Sequence, residues 1–135
     1  MTTKSVPVSV AVPAYNCAKT IAKCIKTINT GSVKPEEILI SYDKSVDGTL
    51  IELTKLKKLY NNIVLVVNDG RNSAAANRNN ALIHCKKDIL THVDADDTVG
   101  KFKLENEFKQ IERGKLVSFS DYQIVRKAYV PGCRV

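Results

Sequence analysis

Ile89-Leu-Thr-His-Val-Asp-Ala-Asp-Asp97 joins a short, mostly apolar run directly to a cluster of carboxylates. An apolar run of this length, bounded by turn chemistry, fits a buried strand of a parallel sheet. Asp94 and Asp96 stand two residues apart. On extended backbone that spacing puts both side chains on the same side, where they can converge on one cation. Carboxylate oxygens are hard ligands that suit Mg²⁺ or Mn²⁺. An ion with only one or two protein ligands keeps positions open for the phosphate oxygens of a substrate. The spacing alone is weak, because acidic turns after strands are common.

The segments before this strand repeat one pattern. Val6 to Val12 reads as a strand ending in Pro13-Ala14-Tyr15-Asn16, and a helix from Ala18 to Asn29 carries Ile21, Cys24, Ile25 and Ile28 at the helical interval. Gly31 and Pro35 are expected to close that helix. Glu37 to Tyr42 gives a second strand, Asp47 caps a helix bearing Leu50, Leu53 and Leu56, and Ile63 to Val67 gives a third strand. Ser73 caps a small-residue helix running to Cys85, and Ile89 to Val93 is the fourth strand. A helix over Lys101 to Arg113 and a further strand near Tyr122 to Ala128 complete the order. This alternation predicts an α/β fold, with a mainly parallel Rossmann-like sheet covered by helices on both faces. In such folds ligands bind beyond the carboxyl ends of the strands.

With 135 residues, 44% hydrophobic and 26% charged, the chain is expected to form a single globular domain over 1–135. No apolar stretch reaches the roughly 18–20 residues of a membrane span, and the start lacks a signal-peptide core, so a cytoplasmic protein is expected. Cys17, Cys24, Cys85 and Cys133 form no CxxC pair, and His84 and His92 lack zinc-ligand spacing. These cysteines read as reduced thiols. The net charge of +7 favours anionic partners in general. Lys19, Lys23 and Lys26, like Lys55, Lys57 and Lys58, fall where solvent faces of helices are expected. No aromatic ladder accompanies them, so nucleic acid is not the expected partner.

The loops leaving the strands carry the chemistry. Asp43 ends the second strand, where a carboxylate can accept from a nucleobase N–H or a ribose hydroxyl, whereas Asp47 reads as a turn and cap residue. Arg71 and Arg78 lie in the Asp69 to Leu82 segment, a Gly-containing loop running into a small-residue helix with Ala74 to Ala76, and either guanidinium suits a diphosphate. The small residues let that helix approach the sheet closely.

Taken in order, Val8 to Asn16, Glu37 to Leu50, Ser73 to Leu82 with its Ala-x-Arg-Asn core, and His92 to Asp97 resemble the nucleotide-binding part of the family 2 glycosyltransferases, which have the GT-A fold. The resemblance covers residues 6 to 122. It implies inverting transfer of a sugar from a nucleotide-diphosphate donor, most commonly a UDP-sugar, to an acceptor hydroxyl, with Mn²⁺ or Mg²⁺. It also implies that Pro13, Ala14 and Tyr15 border base and ribose, Asp43 contacts the base, and Arg78 faces the nucleotide or diphosphate. Asp94 and Ala95 would border the donor, Asp96 would be the direct metal ligand, and Asp94 would approach both ribose and metal. The chain departs from the family pattern in having Tyr42 where an acid commonly precedes Asp43, and an extra alanine before Arg78.

A sugar hydroxyl needs a base to become nucleophilic. Relatives carry theirs in an acceptor-binding part well beyond the acidic run, which this chain is expected to lack. Asp121 is the only acid after Glu112 and so the candidate base within the chain. Binding of a nucleotide sugar without transfer is therefore the alternative function, and a nucleotidyltransferase is a third. Glycan, protein and lipid acceptors all remain open. A sheet lacking its second half would also expose apolar surface that favours homo-oligomers.

Overall fold

The computed structural model describes residues 3–70, 73–118 and 120. Arg71, Asp121, Cys133 and the strand expected near Tyr122 to Ala128 lie outside them. The elements alternate as expected: β1 (Lys4–Ala14), α1 (Ile21–Asn29), β2 (Val33–Tyr42), α2 (Thr49–Leu59), β3 (Ile63–Val67), α3 (Ala74–His84), β4 (Ile89–His92) and α4 (Lys103–Glu112). The strands form one sheet in the order β3-β2-β1-β4, with every pairing parallel. The chain winds from β1 outward through β2 to β3, then returns to the other side of β1 as β4. The strand order therefore reverses at the carboxyl ends of β1 and β4, the kind of switch point where open α/β sheets leave a crevice.

The period-two alternation of β1 and β2 sorts their side chains between two cores. Val6, Val8, Val10, Val12 and Ala14 join Ile38, Ile40 and Tyr42 against Ile21, Ile25 and Ile28 of α1 and Leu53 and Leu56 of α2. The opposite face holds a small buried cluster of Ala11, Leu39 and Ala81, the last from α3. Helices thus cover both faces. The α3 face is completed by polar bonds: Asn80 Nδ2 donates to Ser41 Oγ at 2.8 Å, Ser9 Oγ to Glu37 Oε1 at 2.6 Å, and Lys86 N–H to the same Glu37 oxygen at 2.9 Å.

Several boundaries differ from the sequence expectation. The first helix begins at Ile21 rather than Ala18, because residues 17–20 form a turn whose Thr20 and Ile21 N–H groups both bond the Cys17 carbonyl. Pro35 lies inside β2 instead of terminating the preceding helix. It pairs only toward β1, since β3 joins β2 from Ile38 onward, so a residue without an N–H is tolerated on that open edge. Pro7 falls where the β1–β2 register shifts between Val6 and Ser9. Gly31 sits where a Cβ would lie 3.1 Å from the Lys101 carbonyl, which also receives Ser32 N–H at 2.8 Å.

Candidate functional site

The site begins where β1 ends. Pro13 is half-buried, Ala14 is fully buried with its methyl in the core, and Tyr15 stands at the surface. Asn16 adopts φ 44°, a left-handed conformation that asparagine tolerates better than most residues. Its side chain then serves the next loop: Asn16 Oδ1 accepts from Val46 N–H at 3.1 Å, while Ser45 Oγ accepts from Asn16 N–H at 3.0 Å. Asp47 adds two further ties, accepting from Ala18 N–H at 3.1 Å and Thr49 N–H at 3.0 Å. Its carboxylate also accepts from the Thr49 hydroxyl, whose oxygen in turn accepts from Cys17 N–H at 2.9 Å. The Thr49 hydroxyl bond, above all, lowers the Asp47 pKa below the usual carboxylate value. Asp47 is therefore a loop clamp, as its turn-and-cap reading anticipated, although Gly48 occupies the N-cap position itself.

Asp43 follows β2 directly and is 3% exposed. Its N–H bonds the Ala14 carbonyl at 2.9 Å, and Asn68 Nδ2 donates to its Oδ1 at 2.6 Å. A buried carboxylate anchored in this way has a fixed direction. From the third crossover, Ser73 caps α3 by accepting from Ala76 N–H at 3.1 Å, and α3 presents Asn77 and Arg78. Arg78 Nη2 donates to Asp94 Oδ1 at 2.6 Å; both side chains are about half exposed, so the pair contributes little stability.

After β4 the backbone no longer runs as a strand: Asp97 N–H bonds the Asp94 carbonyl at 3.0 Å and closes a turn. The alternation expected of Asp94 and Asp96 nonetheless survives in burial, with Val93 and Ala95 inside and the two carboxylates more exposed. Burial, reinforced by the charges of Asp96 and Asp94, raises the Asp97 pKa above the usual carboxylate value. Beneath the turn, burial pushes the Cys24 thiol up to about 12, with help from the same three carboxylates. The acidic turn thus carries concentrated negative charge on hard oxygen donors, which fits a divalent cation. Among the described residues no three His, Cys, Asp or Glu side chains gather into a complete metal cage. Two carboxylates suit an ion whose remaining ligands come from a substrate.

These loops enclose a cleft of about 580 Å³, within the range of small-molecule sites. Of the residues expected from sequence, Pro13, Tyr15, Asp43, Arg78, Asp94, Ala95 and Asp96 line it, whereas Ala14 lies behind the wall. Sequence reading missed Ser73 and Asn77, which also line it, and Asn68, which positions Asp43. Asn16 lines it as well. An Asn in the turn after a strand is a recognisable left-handed signature. An Asn inside an Ala-rich helix carries no such signal.

Residues 9–130 match the Glycosyl transferase family 2 profile. The chain is 33% identical to a poly(ribitol-phosphate) beta-glucosyltransferase of Bacillus spizizenii over 81% of its own length and 19% of that protein. S. aureus TarS 1–349 in complex with UDP superimposes with a TM-score of 0.69 at 25% identity, covering 78% of this chain and 32% of that one. The mannosyltransferase PcManGT from Pyrobaculum calidifontis, in complex with GDP-Man and Mn²⁺, gives 0.67 at 26% identity over 76% of this chain and 31% of that one. The chain spans between a fifth and a half of the length of curated relatives that it matches. With a GT-A-type sheet, a cleft at its switch point and a family match over nearly its whole length, this chain belongs to glycosyl transferase family 2.

Proposed function

We propose that this chain is the donor-binding unit of a metal-assisted, inverting glycosyltransferase that takes a nucleotide-diphosphate sugar, a UDP-sugar first among them. The observation that carries the reading is the convergence of Pro13, Tyr15, Asp43, Arg78, Asp94 and Asp96, from the carboxyl ends of three strands and from helix α3, on one cleft at the strand-order reversal. UDP in TarS and GDP-Man with Mn²⁺ in PcManGT support the substrate class.

In this reading Pro13 and Tyr15 border the base and ribose, and Asp43, held by Asn68, accepts from the base. Arg78 turns its remaining donors toward the diphosphate while keeping Asp94 oriented. Asp96, with Asp94, holds Mn²⁺ or Mg²⁺, and what such an ion supplies is neutralisation of the diphosphate leaving group. Ala95 sets the two carboxylates on the open side by packing inward. Transfer also needs a base for the acceptor hydroxyl. Asp121, the candidate from sequence, lies outside the described residues, and the carboxylates that line the cleft all have donor-side roles.

Calorimetry with UDP-sugars in the presence of Mn²⁺ tests the donor site. Chelation and Asp96→Ala are each expected to weaken binding strongly, and unchanged affinity under both removes the metal role. Glycoside formation with a panel of acceptors separates transfer from binding alone. Pyrophosphate release from a nucleoside triphosphate and a sugar phosphate would instead indicate a nucleotidyltransferase.

A further inference from the structure

Asn77 is 1% exposed, and among the described residues its Oδ1 has no hydrogen-bond partner. Native folds keep few such atoms, because an unpaired buried acceptor has lost its water and gained nothing in return. Packing does not require an amide here: Ala81, one turn further along the same side of α3, is fully buried as an alanine. Asn77 also lines the cleft, so its amide borders ligand space rather than a sealed core.

Its position on α3 indicates what it can meet. Successive helical residues are about 100° apart. Arg78, on one side of Asn77, reaches Asp94 beyond β4, and Asn80, on the other, reaches Ser41 of β2 and the Val67 carbonyl of β3. Asn77 therefore faces the sheet between the Asp43 end of the cleft and the Arg78–Asp94 end. If Asp43 receives the base and Arg78 the diphosphate, the nucleoside spans the gap above Asn77. The single N–H of a uracil goes to Asp43 in that arrangement, so the donors that a uridine brings into the gap are its ribose hydroxyls. The orphaned oxygen is an acceptor.

We propose that Asn77 is a nucleoside-recognition residue whose amide oxygen accepts a hydrogen bond from the bound nucleotide. The inference rests on the donor-site reading above. One neutral hydrogen bond corresponds to a roughly twofold to twelvefold change in affinity. Asn77→Leu removes the orphan with little change in volume. It is expected to melt no lower than the parent, yet to bind UDP about twofold to twelvefold more weakly by calorimetry. Asn77→Ala, smaller than the parent residue, is expected to show the same binding loss and decides the matter if leucine overpacks the site.

The two hydroxyls are told apart with 2′-deoxy-UDP and 3′-deoxy-UDP, and N3-methyl-UDP, which alters only the group facing Asp43, is the control. The analogue that lacks the bonded donor should bind parent and Asn77→Ala equally weakly, while the other two retain the difference. UDP affinity unchanged in folded Asn77 variants overturns the inference and leaves the donor site standing. Equal parent-to-variant ratios for UDP and every analogue also overturn it. A parent chain that binds neither UDP nor GDP removes the donor-site reading itself, and this inference with it.

Discussion

On the α1 and α2 face of the sheet, five inward residues of β1 meet isoleucines and leucines from two helices, and nearly every buried contact is apolar. On the α3 face the buried apolar cluster among the described residues is only Ala11, Leu39 and Ala81, while Ser9, Glu37, Ser41 and Asn77 are buried beside it. Apolar burial is non-directional and scales with area, so the first face supplies stability and tolerates approximate fit. Hydrogen bonds depend on direction, so the second face holds α3 at a defined height and angle over the sheet. That helix presents Ser73, Asn77 and Arg78 to the cleft. The contrast separates a face that keeps the chain folded from a face that aims side chains.

The division can be broken most forcefully by truncating the apolar face. Ile25→Ala or Ile40→Ala should cost about 2–5 kcal/mol in denaturant unfolding. Nucleotide affinity per folded molecule should change little; a large affinity loss without a stability loss would refute the separation. Asp43→Ala is the complementary test at the cleft. Removing a charged acceptor should lower nucleotide affinity by roughly 1.5–3 kcal/mol, about tenfold to a hundredfold, with Mn²⁺ binding preserved when titrated separately.

A smaller effect is expected from Asn80→Ala, which removes the bonds to Ser41 and Val67. Stability should fall by about 1 kcal/mol, and nucleotide binding should weaken through displacement of Arg78. Stability loss with unaltered binding would mean that α3 needs no such anchor. The smallest expected effect concerns Cys24 beneath the acidic turn. Its thiol is raised from 9.0 to about 12, so the native state keeps a proton that the unfolded chain releases above about pH 9. Stability should therefore be unaffected by this group below pH 9 and decline as pH rises toward 12. At neutral pH the protonated, buried thiol should resist alkylation in the native state, measured by mass spectrometry.

The two faces also differ in how plainly they can be read from residue order. The isoleucines of α1 and the even-numbered valines of β1 declare their face by period, and the expected α/β fold with helices on both sides of a parallel sheet follows from that. The polar face gives no periodic signal: Ser9, Glu37 and Asn77 resemble solvent residues yet are buried, Ser9 and Glu37 against partners 28 and 49 positions away. Pro35 shows the same limit in reverse. A proline reads as an element breaker, yet it sits inside β2 because β3 does not extend far enough to demand its missing N–H.

Among site residues, Asp43, Asp94 and Asp96 stand out as acids just past strand ends, which are local features of the chain, and Arg78 stands out as a cation in the small-residue helix that follows β3. Their order along the chain, together with Pro13 and Tyr15, was enough to suggest a nucleotide-sugar site. The sequence could not show that Arg78 closes on Asp94, that Asn16 and Asp47 clamp two loops together, or that Asn68 fixes the Asp43 carboxylate. Nor could it show that Asn77 lines the cleft with an oxygen that has no hydrogen-bond partner among the described residues. Periodicity is a property of a few neighbouring residues and survives in any context. Contacts between loops exist only after β4 has crossed back beside β1 and brought distant segments within hydrogen-bonding reach, so they belong to the folded chain alone.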